Sequence, residues 1–181
     1  MKFYRKITGE RLYLSPFSAG DEEIHAKWAE WMNNRAVSEY FGGYHLMVTQ
    51  ESAKKTIGEF EGYRFVIVLK ENDELIGHIS LHNIDHLNRN AFLGIFIGPD
   101  ERRGKGYGTE AVRLILGFGF KTLNMHNIML TVHADAAAAV ACYKKAGFTE
   151  AGRLREWIYK DGKYVDKLYM GILCRDYAGR G

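Results

Sequence analysis

Arg102-Arg103-Gly104-Lys105-Gly106-Tyr107-Gly108-Thr109-Glu110-Ala111 lies between a run of strand-like apolar residues and a helix-like stretch. Glycines at 104, 106 and 108 let the backbone turn tightly and approach a ligand with no Cβ atoms in the way. The helix that follows turns its unpaired N–H groups and positive dipole end to the same point, where an anion is stabilised. Arg102, Arg103 and Lys105 add full charges there. The ligand implied is a phosphate-bearing cofactor. Two nucleotide-binding readings fail on spacing. A P-loop requires Ser or Thr directly after Gly-Lys, and Gly104-Lys105 is followed by Gly106. A dinucleotide fingerprint requires Gly-x-Gly-x-x-Gly after the first strand and an acid about 20 residues on. Here Gly-x-Gly-x-Gly sits deep in the chain, and residues 113–130 contain no acid. A glycine-rich turn with a solvated basic rim remains the alternative.

Other stretches decide between these. Arg103-Gly104-Lys105-Gly106-Tyr107-Gly108 resembles the Arg/Gln-x-x-Gly-x-Gly/Ala signature of the GCN5-related N-acetyltransferases (GNAT), and Tyr143-Lys144-Lys145-Ala146-Gly147-Phe148 resembles that family's second landmark. Thr8-Gly9-Glu10-Arg11-Leu12-Tyr13-Leu14, the run Gly106 to Ala111 and Leu123-Asn124-Met125-His126 are similar to its RimJ/RimL-like branch. The likeness runs from about residue 8 to the C-terminal strand.

Composition is consistent with this and excludes other classes. The 181 residues, 46% of them hydrophobic, suffice for one domain with a sizeable core, so residues 1–181 are read as a single N-acetyltransferase domain. A formal net charge of +3, with basic residues scattered apart from the glycine loop and Lys144-Lys145, gives no nucleic-acid footprint. Two cysteines, Cys142 and Cys174, suggest neither a disulfide framework nor a metal site. Met1 to Lys6 lead into no long apolar run, so neither a signal peptide nor a membrane span is expected, and the cytoplasm is the expected setting.

Along the chain the pattern is α+β, without linker or repeat. Leu12, Leu14 and Phe17 alternate on a first strand closed by Ser15-Pro16. Asp21 to Asn33 reads as a helix capped by Asp21, with Ile24, Trp28, Trp31 and Met32 at helical spacing and the tryptophans in the core. Tyr40-Phe41-Gly42-Gly43-Tyr44 reads as an aromatic loop, and 49–58 as a second helix. Residues 65–69, 75–84 and 91–97 read as antiparallel strands, turning at Asn72-Asp73 and 88–90. After the glycine loop come an apolar-faced helix, a strand over 128–132 and a helix capped by Asp135 and stopped by Gly147. The final hairpin has strands at 157–159 and 164–173 and turns at Asp161-Gly162. The resemblance implies the acyl-CoA N-acyltransferase fold: a mixed, mostly antiparallel sheet, helices on both faces (a three-layer arrangement), and a splayed central strand pair.

The same resemblance assigns chemistry to positions. Acetyl-CoA would lie between the strands at 91–97 and 128–132, its pantetheine arm along the backbone of Phe96 and Ile97. The amides of Arg103, Gly104, Lys105, Gly106, Tyr107, Gly108 and Thr109 would hold the pyrophosphate, with Arg102 and Lys145 in the same cofactor set. The amine attacks the thioester directly, so catalysis is mainly positioning and proton management. Tyr143 matches the tyrosine that serves the leaving thiolate; a phenol near pKa 10 suits a thiol near 8.5. His82 is carried as a second catalytic candidate, with Glu156 and ordered water as other bases, and Tyr40, Phe41 and Tyr44 as the acceptor pocket. Glu110 sits in a helix's first turn, where the dipole favours an acid, and reads as structural.

This chain departs from the family pattern at three places. Ala136, within Ala136 to Ala139, stands where many relatives have a cofactor-contacting asparagine; Phe92 stands where a glutamate often helps deprotonate the amine; Ser15 replaces a usual arginine. His78, His82 and His86 would make a metal face on a helix, but on a strand residues four apart lie about 13 Å from each other, so no metal is expected. The reading is an acetyl-CoA-dependent N-acetyltransferase acting on a primary amine. A protein N-terminal α-amine of the ribosomal-protein type is the first acceptor. A spermidine-type polyamine or small amine is the alternative, and a catalytically silent CoA-binding module the reading of another class. A monomer or homodimer is expected.

Overall fold

The computed structural model describes residues 2–17, 20–41 and 45–177. Its eight strands are β1 (Ile7–Thr8), β2 (Leu12–Pro16), β3 (Tyr63–Leu69), β4 (Leu75–Asp85), β5 (Asn90–Ile97), β6 (Asn127–His133), β7 (Thr149–Lys160) and β8 (Lys163–Leu173). Its helices are α1 (Glu22–Asn33), α2 (Arg35–Phe41), α3 (Gln50–Gly58), α4 (Tyr107–Gly117) and α5 (Ala137–Lys145). The strands form one mixed sheet in the order β1-β2-β3-β4-β5-β6-β8-β7. All neighbours are antiparallel except β5 and β6.

Strand alternation divides the core into two layers. Leu12, Leu14, Ile67, Ile79 and Leu81 join Ala111, Val112 and Ile115 of α4 in one cluster, which also takes in Tyr143 and Ala146 at the end of α5. Tyr13, Val66, Val68 and Phe96 point the other way and meet Ile24, Trp28, Trp31 and Met32 of α1 and Ile57 of α3. Each such aliphatic side chain, fully buried, contributes about 1.5–3 kcal/mol. The expected helix–sheet–helix layering is therefore present, and Trp28 and Trp31 are core residues at 7% and 5% exposure.

The parallel pair is where the sheet opens. β5 meets β6 only at Asn90↔Asn127, Ala91↔Ile128 and Phe92↔Met129. β5 nonetheless stays paired with β4 through Gly77↔Ile97. From Leu93 onward the β6-facing edge of β5 has no strand partner, so backbone polar groups in the middle of the protein are left for a ligand. This is the splayed pair expected from the resemblance.

Several local readings need correction. Tyr40 and Phe41 belong to helix α2, whose Val37 and Ser38 are buried; Tyr44 lies outside the described residues. β1 was not expected, and β7 begins at Thr149 rather than Trp157. Asp21 caps α1 as expected, accepting from Glu23 N and Ile24 N. Asp135 does not cap α5: the N-cap is Ala136, without a side-chain bond, and the Asp135 carboxylate instead accepts from Lys160 Nζ at 2.7 Å. Ion pairing with a lysine that also binds Glu39 at 2.7 Å has outcompeted the cap.

Candidate active site

Two cavities meet at the opening of the sheet. The first, about 430 Å³, is lined by the outer half of β5, the glycine loop, α2 and the start of α5. Gly104 and Gly106 have φ of 73° and 84°, left-handed values that L side chains rarely adopt. Gly106 is the N-cap of α4, and no side chain caps it. The first amides of this helix are thus left for a ligand. Arg102, Arg103, Gly104, Tyr107, Gly108, Phe96 and Ile97 all border the cavity.

The loop's charges are partly committed. Arg102 is paired with Glu74 and holds Glu71 at 3.9 Å, while Arg103 is paired with Asp100 and donates to Ala36 O of α2 at 2.7 Å. Arg103 therefore ties the loop to the helix that roofs the cavity. Lys105, Gly106, Thr109 and Lys145 do not border it. The Lys105 carbonyl accepts from Arg11 Nη1 at 3.0 Å, Thr109 Oγ1 donates to Cys142 Sγ at 3.3 Å, and the Lys145 carbonyl accepts from Arg113 at 2.9 Å. Glu110 has the structural role expected. It accepts from Arg11 N and Nε, both at 2.8 Å, and from Leu12 N at 3.3 Å, joining α4 to β2. Burial alone would raise its carboxyl, and these hydrogen bonds overcome that to hold it below the usual range.

The second cavity, about 400 Å³, lies against the α1–α3 side of the opening. Tyr40, Phe41, Ile95, Thr131 and Tyr143 border both cavities, so the two share a seam. His82 and Phe92 border the second, their rings 6.3 Å apart. Glu156 borders neither; it stands exposed on β7, with its amide bonded to Asp166 Oδ1 at 2.9 Å. Gly94 makes room here. A Cβ at that position would meet Ser80 Oγ at 3.3 Å and His82 Cε1 at 3.4 Å.

Titratable groups around the seam are shifted by burial. Desolvation, with a minor contribution from Cys142, raises the Tyr143 phenol well above its usual value, so it stays protonated at neutral pH. His78, His82 and His133 are all shifted down, first by desolvation, and His78 and His82 also by the charge of Arg64. They are neutral at pH 7. The His78 ring is enclosed by Trp28 and Phe96, with centroids at 4.9 and 5.6 Å. Among the described residues, no group of three His, Cys, Asp or Glu could hold a metal ion.

Buried neutral histidine links stability to pH. The folded pKa of His78 lies below the unfolded one, so below about pH 6.5 the unfolded chain binds a proton the folded chain refuses. Stability is expected to fall with decreasing pH from that point, with His78 contributing up to about 1.4 kcal/mol per pH unit. Urea unfolding at pH 7, 6 and 5 of the native chain and a His78→Gln variant measures this; equal slopes would remove His78 as the cause.

A strand pair opened over a helix N-terminus, with a protonated phenol between two cavities, is the arrangement that the resemblance implies for an acyl-CoA-dependent transferase. Comparison with known proteins agrees. Residues 11–149 match the model of the acetyltransferase (GNAT) domain. The chain is 34% identical over 131 residues to a spermidine N(1)-acetyltransferase of Vibrio cholerae, covering 72% of this chain and 75% of that protein. It is 32% identical over 121 residues to an uncharacterized N-acetyltransferase, p20, of Bacillus licheniformis, covering 67% of each. The solved structure of the Vibrio cholerae spermidine N-acetyltransferase in complex with CoA and spermine superposes with a TM-score of 0.79 at 30% identity, over 93% of this chain and 99% of that one.

The protein belongs to the GNAT family of N-acetyltransferases, and acetyl-CoA is its acetyl donor. The residues fit that donor: left-handed glycines at 104 and 106, uncapped amides of α4, and the unpaired edge of β5. Sequence reasoning missed Ala36, Val37 and Arg64 as cavity residues. Arg64 could have been noticed as a lone charge in the otherwise apolar run Tyr63 to Leu69.

Proposed function

We propose that this chain transfers acetyl from acetyl-CoA to a primary amine that enters through the second cavity, with reaction at the seam beside Tyr143. The observation that carries this is the position of Tyr143 on the border of both cavities. Bound acetyl-CoA supplies the acetyl thioester. Arg103 and the amides at Gly104, Tyr107 and Gly108 hold its phosphates, and the backbone of Phe96 and Ile97 orients its arm. Tyr143 Oη–H donates to the leaving sulfur. Because burial raises the phenol, its contribution is a hydrogen bond to developing negative charge rather than early proton loss. His82, neutral and beside Gly94, is the base candidate within the acceptor cavity.

Two acceptor classes have support. Relatives named as spermidine acetyltransferases favour a polyamine. An α-amine, near pKa 8 rather than 10.4, asks less of a weakened histidine base and suits a site with Phe92 in place of an acid. Calorimetry with acetyl-CoA, followed by thiol release with spermidine, N-terminal peptides and amino acids, tests the proposal. Stoichiometric binding and amine-dependent thiol release are expected. Absence of both would overturn it.

A further inference from the structure

The acceptor cavity contains a charge that the transfer chemistry does not use. Arg64, on β3, borders it together with Ser80 and His82 of β4 and Gly94 of β5. Arg64, Ser80 and Gly94 are consecutive partners across three strands, so they form one row beneath the opening. The guanidinium stacks on Phe60 at 3.7 Å and lies 5.3 Å from the Trp28 ring. One hydrogen bond is formed, from Nη1 to Ile57 O at 3.3 Å, and the buried Nε has no partner among the described residues. Desolvation pushes its pKa down to about 10, which leaves it charged at neutral pH.

No carboxylate offsets this charge. Among the described residues, the lining of the cavity includes no Asp or Glu, and Lys167 adds a second cation. None of the residues outside the described set is acidic. A half-buried guanidinium without a counter-ion is costly. Stacking on aromatic faces offsets part of that cost, and a ligand oxyanion would offset the rest.

We infer that the acceptor is an amine that itself bears a carboxylate, bound by Arg64 with the Ser80 hydroxyl while its amino group is directed to the seam at Tyr143. This rests on the acetyltransferase reading above and names the substrate class of that site. The carboxylate has two chemical sources, a free amino acid or the acidic first residue of a peptide, and the test separates them. The rings of Trp28, Phe60 and Phe92 around the cavity suit an apolar or aromatic remainder. A polyamine would instead bring further positive charge beside Arg64 and Lys167.

The test compares KM for phenylalanine, phenylalaninamide, a peptide beginning with Glu, the same peptide beginning with Gln, and spermidine. Calorimetry of phenylalanine without acetyl-CoA serves as a readout independent of turnover. A KM at least tenfold lower for a carboxylate-bearing amine than for its amide is expected, and the free amino acid and peptide arms identify the source. Arg64→Met should remove that preference and the calorimetric signal while acetyl-CoA affinity is unchanged; Arg64→Lys, keeping charge without the planar fork, should fall between. If Arg64→Met does not fold, the same comparison in the native chain and Arg64→Lys decides. Equal use of acid and amide, or better use of spermidine, overturns the inference and leaves the acetyltransferase reading standing. No acetyl-CoA binding and no thiol release with any amine overturns both.

Discussion

Tyr143→Phe is expected to lower kcat by about 10²-fold or more, the usual scale for removing one preorganised hydrogen-bond donor to developing charge. The affinity for acetyl-CoA should remain within about twofold, since the lost atom serves the transition state and not the ground state. The ring itself is a packing element, 6.0 Å from Phe148 and among the buried core. Phenylalanine keeps that packing, so a melting temperature close to native should accompany the loss. Stopped-flow thiol release with calorimetry on the same samples separates the effects. An unchanged kcat would remove Tyr143 from the chemistry, and a parallel fall in cofactor affinity would make it a binding residue instead.

Gly108→Ala separates the fold's needs from the ligand's. A Cβ there would meet nothing closer than Cys142 Sγ at 3.6 Å, an ordinary contact. In the first turn of α4 alanine is the better helix former, by up to about 1 kcal/mol. The protein alone therefore gives no reason for glycine, and the variant should melt no lower than the native chain. The added methyl would stand beside the amides proposed to hold phosphate, so acetyl-CoA affinity is expected to drop at least about tenfold, or about 1.4 kcal/mol. Native affinity in a stable Gly108→Ala variant would show that the phosphates lie elsewhere.

What could be read from residue order was mostly local. Glycine spacing, the Asp21 cap and strand alternation each involve a few neighbours in sequence, and the structure has them where expected. The misreadings came from partners distant in the chain. Asp135 looks like a helix cap until Lys160, 25 residues later, takes its carboxylate. Tyr40 and Phe41 look like loop residues beside two glycines, yet Arg35 to Phe41 forms a helix. That helix is fastened by Arg103 on its inner side and by the Arg35–Asp161 ion pair at 2.5 Å on its outer side.

By itself the sequence determined the donor. The run Arg102 to Ala111 and the later Tyr143-Lys144-Lys145-Ala146-Gly147-Phe148 carry the resemblance that implies the acetyl-CoA-binding fold, and they are legible because glycine spacing and a helix start are short-range features. Tertiary structure decided what faces the amine. β5 remains with β4 and parts from β6 after Phe92, with Tyr143 bordering two cavities and Arg64, Ser80 and Gly94 lining one of them along one row. Arg64 in the sequence is one arginine among apolar neighbours. Only the packing of β3 and β4 with the rings of Trp28 and Phe60 shows that its charge is half-buried, has no carboxylate beside it in the cavity lining among the described residues, and borders the space the acceptor must enter. Charge balance in a cavity is a sum over residues from distant parts of the chain, so it exists only once the chain has folded.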